Sequence, residues 1–181
     1  WWGATALSNV QPAGDFDALV RDSWQLLAHR ASPIKVCCVA ATQLAHCRQL
    51  LPALEESLDH LHVAAVLLDH AQDWQEDLVA GRYNAFVHFL SSEKQGAKNR
   101  AKHEQRVMED LWFGDRAVGY FEHAHSQLNL SLSAAERVHC TPYNEFIVQY
   151  HARLDRYHRA MLQSARLILE QTTTQLFGVT Y

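Results

Sequence analysis

The sequence predicts an all-α fold, a single helical bundle spanning residues 1–181, and three observations carry that prediction. Turn punctuation is scarce, with 7 Gly and 4 Pro in 181 residues, which excludes a sandwich or barrel of many short strands. Apolar residues recur at helical spacing along most of the chain. Hydrophobic residues make up 48% and charged residues 20%, a balance that supplies a core and excludes a disordered chain. No internal repeat, low-complexity tract or linker divides the sequence into two domains.

The elements follow in order. Asp15 to Arg30 reads as a helix, with Asp15 as N-cap after Gly14 and with Phe16, Leu19, Val20, Leu26 and Leu27 at helical spacing. Ser32-Pro33 opens a second helix running from Ile34 to about Cys47, nearly all small and apolar, with Lys35 its only charge. Being apolar on most sides, that helix is expected to be buried. The longest element runs from Pro52 to about Ala80 without Gly or Pro and stops at Gly81 as a C-cap, a helix of about 40 Å. A short segment, Tyr83 to Leu90, comes next. Residues 91–102 (SSEKQGAKNRAK) are polar and basic and read as a mobile loop. Helix resumes from His103 to about Asn129, loosened at Gly114 and Gly119, and a turn is expected over 129–133. A last helix begins at Thr141-Pro142 and reaches Leu176.

A net charge of −4 excludes a strongly basic nucleic-acid binder. No run of 18 apolar residues occurs, so no membrane span is expected. Cys37, Cys38, Cys47 and Cys140 show no metal-ligand spacing; buried thiols in a reducing compartment fit them best, which makes the cytoplasm the expected location. The chain opens Trp1-Trp2-Gly3 with no initiating Met, as a trimmed chain or the later part of a longer one would.

The sharpest feature is LLDHAQDWQEDLVAGRYN, residues 67–84. Asp69, Asp73 and Asp77 stand four residues apart and share one helix face, where their like charges repel unless a cation lies among them. Mg²⁺ suits such a line, since it takes hard oxygen ligands from one or two carboxylates and completes its shell with substrate phosphates. Glu76 adds a fourth acid near that face, and Leu61, Ala64, Ala65, Leu67 and Leu68 make the helix before it apolar. A solvated acidic end of an amphipathic helix accounts for the spacing equally well.

Asp69-x-x-x-Asp73-x-x-x-Asp77 followed by Gly81-Arg82-Tyr83-Asn84 resembles the aspartate-rich motif of the class I isoprenoid (terpenoid or polyprenyl diphosphate) synthases. Ala31-Ser32-Pro33-Ile34-Lys35, an apolar helix and the long helix into the aspartates are similar to that family too, so residues 15–90 carry the likeness. The resemblance implies a terpenoid-synthase-like bundle around a deep apolar cavity. It implies a Mg²⁺-dependent prenyl transferase or terpene synthase/cyclase that ionises a prenyl diphosphate for condensation or cyclisation. By the same resemblance Asp69 and Asp73 are the catalytic acids, Asp69, Asp73 and Asp77 hold metal, and Lys35, Lys98 and Arg100 bind the substrate diphosphate, the last two from the basic loop. Metal and basic side chains would neutralise the leaving diphosphate as it departs.

This chain departs from the family's pattern in three places. Asp69 is followed by His70 where a second acid is usual, and Ala65-Val66 stand where Phe-Gln is common. The second aspartate-rich motif, normally more than 100 residues upstream, has no counterpart in the 68 residues before Asp69, where Asp15, Asp17 and Asp22 are the only acids ahead of Glu55. The chain is therefore expected to be the C-terminal part of a larger enzyme, with the missing motif in an N-terminal portion or a second copy. The alternative is a non-catalytic helical module that packs against a partner.

A rival from a different class rests on the histidines. Asp59/His62, Glu122/His125, Glu136/His139 and Asp155/His158 all match acid-x-x-His, more pairs than random placement of 20 acids and 12 His gives. Ferritin-like di-iron bundles use such pairs on facing helices, and Glu122/His125 and Asp155/His158 are placed to face each other. Taken singly, each pair reads as surface polarity, with His60, His123, His151 and His158 on exposed faces and Glu136/His139 in a turn. Trp112, Phe113, Tyr120, Phe121, Tyr143, Phe146, Tyr150 and Tyr157 recur at helical spacing and read mainly as core. On the isoprenoid reading, some would line the cavity and stabilise a carbocation.

Overall fold

A computed structural model describes Ala28, residues 32–91 and residues 100–177. These residues are helical throughout apart from short turns, and no strand occurs among them. The order is α1 (Ser32–Leu44), a 3₁₀ turn (Arg48–Leu50), α2 (Leu51–Gln72), α3 (Trp74–Ala80), α4 (Ala85–Ser91), α5 (Arg100–Phe113), α6 (Arg116–Glu136) and α7 (Thr141–Phe177). The expected all-α architecture is what the chain adopts. Of the first expected helix only Ala28 is described; it is helical and buried.

The central element is α2. Its Pro sits at the first turn, where the missing N–H removes nothing. Leu58, Leu61, Val63, Ala64, Val66, Leu67, Leu68 and Ala71 are all buried, so the helix is apolar on several sides and has neighbours on each. It packs most extensively against α6, and also against α1 and α4, while α7 lies along α6 and α5. From α6, Tyr120, Phe121, Ala124 and Leu128 enter the core at helical spacing; α7 adds Ile147 and Leu154, and α4 adds Phe86, Val87 and Leu90. Polar ties fix the register between helices. Tyr120 donates its hydroxyl to the Leu67 carbonyl at 2.8 Å, and Tyr157 donates to Ala71 at 2.6 Å. Ser57 donates to the Ser131 carbonyl and Ser131 donates back to Ser57, each at 2.8 Å.

Several expectations are corrected. The single helix over 52–80 is two helices, because the backbone turns aside at Asp73 (φ −101°, ψ 10°). Neither Gly nor Pro marks that bend, and the ladder survives it: Asp73 N–H still reaches Asp69 O, and Asp77 N–H reaches Asp73 O, both at 2.9 Å. Just beyond the bend, Trp74 and Asp77 are buried. Of the segment expected as a mobile basic loop over 91–102, Ser91 closes α4 and Arg100–Lys102 belong to α5, while residues 92–99 lie outside the described residues.

The helix after it breaks fully at Gly114. A Cβ there would lie 2.3 Å from Asp110 Oδ1, so any larger residue would force this side chain aside. The turn expected at 129–133 lies instead at 137–140, after α6, with His139 in the left-handed region at φ 57°. Ser131, Ala134 and Ala135 are buried against the core, and that burial carries α6 through the polar stretch.

The second helix is not buried. Ile34, Val36 and Leu44 are 50%, 69% and 83% exposed, and Cys37 is exposed, Cys38 and Cys47 half-buried and Cys140 exposed, all as free thiols. Burial depends on which elements remain to cover a helix, and composition does not state that. Among the aromatics Tyr120 and Phe121 are core as expected, whereas Phe146 is 51% exposed; the side chains of Trp112 and Phe113 lie outside the described residues. No described helix is long and apolar enough to cross a membrane.

Candidate functional site: the aspartate end of the central helix

The last turn of α2, the bend and α3 carry the aspartate line. Asp69 and Asp73 are exposed and one helical turn apart, and Glu76 is exposed beside them. Tyrosines from α6 and α7 stand close enough to feel them. Burial pushes the Tyr150 hydroxyl up and Asp69 adds to it; burial and then Asp73 push Tyr157 up to about 12. Tyr120, fully enclosed, is raised chiefly by burial, with Tyr83 and Asp69 contributing. At neutral pH all three are protonated and can donate hydrogen bonds. The site thus combines two exposed aspartates with neutral phenols.

Asp77 belongs to a different arrangement. Only 8% exposed, its Oδ1 accepts from Arg82 Nε at 2.7 Å and its Oδ2 from Asn84 Nδ2 at 2.8 Å. Gly81 makes this possible: at φ +66° it ends α3, with Arg82 N–H reaching Asp77 O and Gly81 N–H reaching Leu78 O, the Schellman pattern. The turn swings Arg82 back over the acid. The Arg82 guanidinium is held above its usual range by that bond and by the Asp77 charge.

Asn84 then starts α4. Its Oδ1 accepts the Val87 N–H at 3.1 Å, an N-cap bond, while its Nδ2 also donates to the His70 carbonyl at 2.8 Å. His70, which follows Asp69 directly, points inward and is 5% exposed. Its Nδ1 accepts the Ala85 N–H at 3.1 Å, so the ring proton resides on Nε2 and the ring ties α2 to the start of α4. Sequence reading missed His70 and Asn84 as structural parts of this region. An Asn immediately before the apolar run AFV is the signal that could have found the cap.

The remaining expected residues fall elsewhere. Lys35 pairs with Asp59 Oδ1 at 2.5 Å. Asp59 lies ten residues before Asp69 on α2, about 15 Å along the axis, so the structure does not bring Lys35 to the aspartates. Lys98 lies outside the described residues, and Arg100 opens α5 with its side chain outside them. Among the described residues no group of three or more His, Cys, Asp or Glu is placed to hold a metal ion. A divalent cation that takes two carboxylates and completes its shell with phosphate and water fits Asp69 and Asp73. It does not fit Asp77, whose two oxygens are engaged.

The facing acid-x-x-His pairs do meet. His125 Nε2 of α6 stands 3.1 Å from Asp155 Oδ1 of α7. The histidines expected on exposed faces are half-buried instead: His60 bonds Gln127 at 2.8 Å, His123 packs edge-on to Phe89, His151 meets His125, and His158 stacks on Phe121. Glu136 and His139 do lie at the end of α6 and in the turn after it. No protein-family model matches the chain, and neither a curated protein nor a solved structure is significantly similar to it.

Proposed function

We propose that the chain is a class I isoprenoid synthase-like bundle in which Asp69 and Asp73 present Mg²⁺ to a prenyl diphosphate. The observation that supports this reading is their placement. They are exposed carboxylates one turn apart, at the end of the most enclosed helix of the bundle, beside protonated tyrosines from α6 and α7. Mg²⁺, when bound, supplies the charge that lets diphosphate leave. The chain's own part is positional. Asp69 and Asp73 fix the polar end of the substrate, and the Asp77–Arg82–Asn84 bonds hold the turn behind them. The Tyr150 hydroxyl stays protonated, and that of Tyr157 is given to the Ala71 carbonyl. Lys35, Lys98, Arg100 and Asp77 are not needed as ligands on this reading.

The test is incubation with geranyl, farnesyl and geranylgeranyl diphosphates and Mg²⁺, read by mass spectrometry. Metal-dependent products that vanish in Asp69→Asn and Asp73→Asn support the proposal. Absence of any product, together with no Mg²⁺-dependent binding of inorganic pyrophosphate, overturns it.

A second reading, a non-catalytic helical module, is favoured by one specific observation: α1 presents Ile34, Val36 and Leu44 to solvent. An exposed apolar helix of this kind suits a protein partner. It predicts that Ile34→Glu plus Val36→Glu leaves the fold intact and abolishes self-association, and that pyrophosphate does not bind.

A further inference from the structure

Away from the aspartate end, α6 and α7 meet through histidines that the proposed function does not use. His125 directs Nδ1 at Nδ1 of His151, 3.3 Å away, with the rings stacked at 24° and centroids 5.4 Å apart. Its other nitrogen faces Asp155, one helical turn beyond His151, at 3.1 Å. Three residues further along α7, His158 lies stacked on Phe121 of α6, centroids 4.3 Å apart, and its Nε2 is buried with no hydrogen-bond partner.

We propose that His125, His151 and Asp155 form a proton-sensitive latch that fastens α7 to α6 at neutral pH and opens on acidification.

The contacts dictate where the protons sit. An ionised Asp155 can only accept, so His125 carries its proton on Nε2. His125 Nδ1 then offers a lone pair, and His151 donates to it from Nδ1. Two neutral rings with one proton each satisfy both contacts. A third proton can enter on His125 Nδ1, with His151 carrying its own proton on Nε2 and accepting through Nδ1, so the link survives one charge. Burial and that charge on His125 both resist a fourth proton on His151, which the Leu128 backbone favours. When it enters, two N–H groups face each other on two cations, and an attractive contact becomes a repulsive one.

His151, Asp155 and His158 face His125 from α7, and Glu122 lies a turn before it on α6. His60 and His62 stand on α2, which packs along α6, and His60 is bonded to Gln127. Burial first, and His125 second, hold both His151 and His158 below the usual imidazole value of 6.5; Asp155 opposes in each case, and Glu122 in the second. Imidazoles depressed in the folded state contribute stability that is present above the unfolded value and is lost as pH falls below it. The latch therefore weakens below about pH 6.5. Its opening loosens the helix that carries Tyr150 and Tyr157, neighbours in sequence of His151 and His158. None of this depends on the chemistry at Asp69 and Asp73.

Hydrogen exchange of the α7 amides tests it, measured at about pH 7.5 and about pH 5.5 and corrected for the intrinsic rate. The expected result is protection over 148–162 falling severalfold at the lower pH. In His151→Asn, whose amide can accept from a charged His125 and cannot itself charge, that loss should disappear. If His151→Asn does not fold, His125→Gln gives the same readout, because its amide still donates to Asp155. Equal loss in wild type and variant, or no loss in wild type, overturns the latch.

Discussion

Arg82 Nε meets Asp77 Oδ1 at 2.7 Å across the left-handed Gly81 turn, and Asn84 takes the other oxygen of the same carboxylate. These two partners are not equivalent. The Arg82 side chain is 60% exposed, so water and salt screen its pairing. Asn84 is fully buried and serves the Asp77 carboxylate, the His70 carbonyl and the Val87 N–H at once. Asn84→Ala should therefore destabilise the fold by about 3 kcal/mol, since buried polar atoms are left unsatisfied. Arg82→Ala should scarcely move the urea midpoint at moderate salt. Equal losses for the two variants would show that the guanidinium holds the turn as firmly as the amide.

The two special glycines should respond by different mechanisms. Around Gly81 a Cβ meets nothing within 4 Å, so Gly81→Ala carries only the left-handed backbone cost, about 1 kcal/mol. Gly114→Ala would push a methyl into Asp110 and should cost more than Gly81→Ala in the same denaturation series. Asp110→Ala combined with Gly114→Ala should recover part of the difference, because the two side-chain atoms are then absent while the Asp110 carbonyl stays 3.0 Å away.

At the aspartates the expected outcome concerns metal and charge together. Without Mg²⁺, Asp69 and Asp73 repel across one turn, so Asp73→Asn should be neutral or stabilising by about 0.3 kcal/mol. With Mg²⁺ and pyrophosphate the wild-type melting temperature should rise and the variant's should not. A ligand-induced rise of the same size in Asp73→Asn would place the anion elsewhere.

Much of this architecture was legible in the sequence, and the limits have physical reasons. Pro52 and Gly81 bracket the long helical stretch because each is fixed by local backbone chemistry, and the buried stripe of α2 follows from its own composition. The bend at Asp73 carries no such local mark. Asp69 and Asp73 were visible as an i, i+4 pair, but the engagement of Asp77 required a turn that folds Arg82 and Asn84 back over it. Lys35 was expected at the diphosphate by resemblance, yet its partner is Asp59, a choice set by how α1 lies on α2. His125 and His151, 26 residues apart, meet only because α6 and α7 run antiparallel through the 137–140 turn.

Tyr120 offers a test of how the bundle is held together. Its ring packs edge-on to Phe86 at 5.0 Å and to Phe121 at 5.8 Å, while its hydroxyl reaches across to the Leu67 carbonyl of α2. Tyr120→Phe removes only the hydrogen bond. Leu67 lies within α2, where the helix ladder offers its carbonyl a second donor, so the expected loss is about 1 kcal/mol. Tyr120→Leu keeps an apolar side chain but abandons ring volume and both aromatic contacts, and should cost about 3 kcal/mol. The ratio between the variants decides which interaction dominates. A loss for Tyr120→Phe as large as that for Tyr120→Leu would mean that the hydroxyl, through its α2 bond, fixes the register of α6. The geometry favours the ring, because Tyr120 is fully buried among Phe86, Phe89 and Phe121 and contributes mainly by filling space.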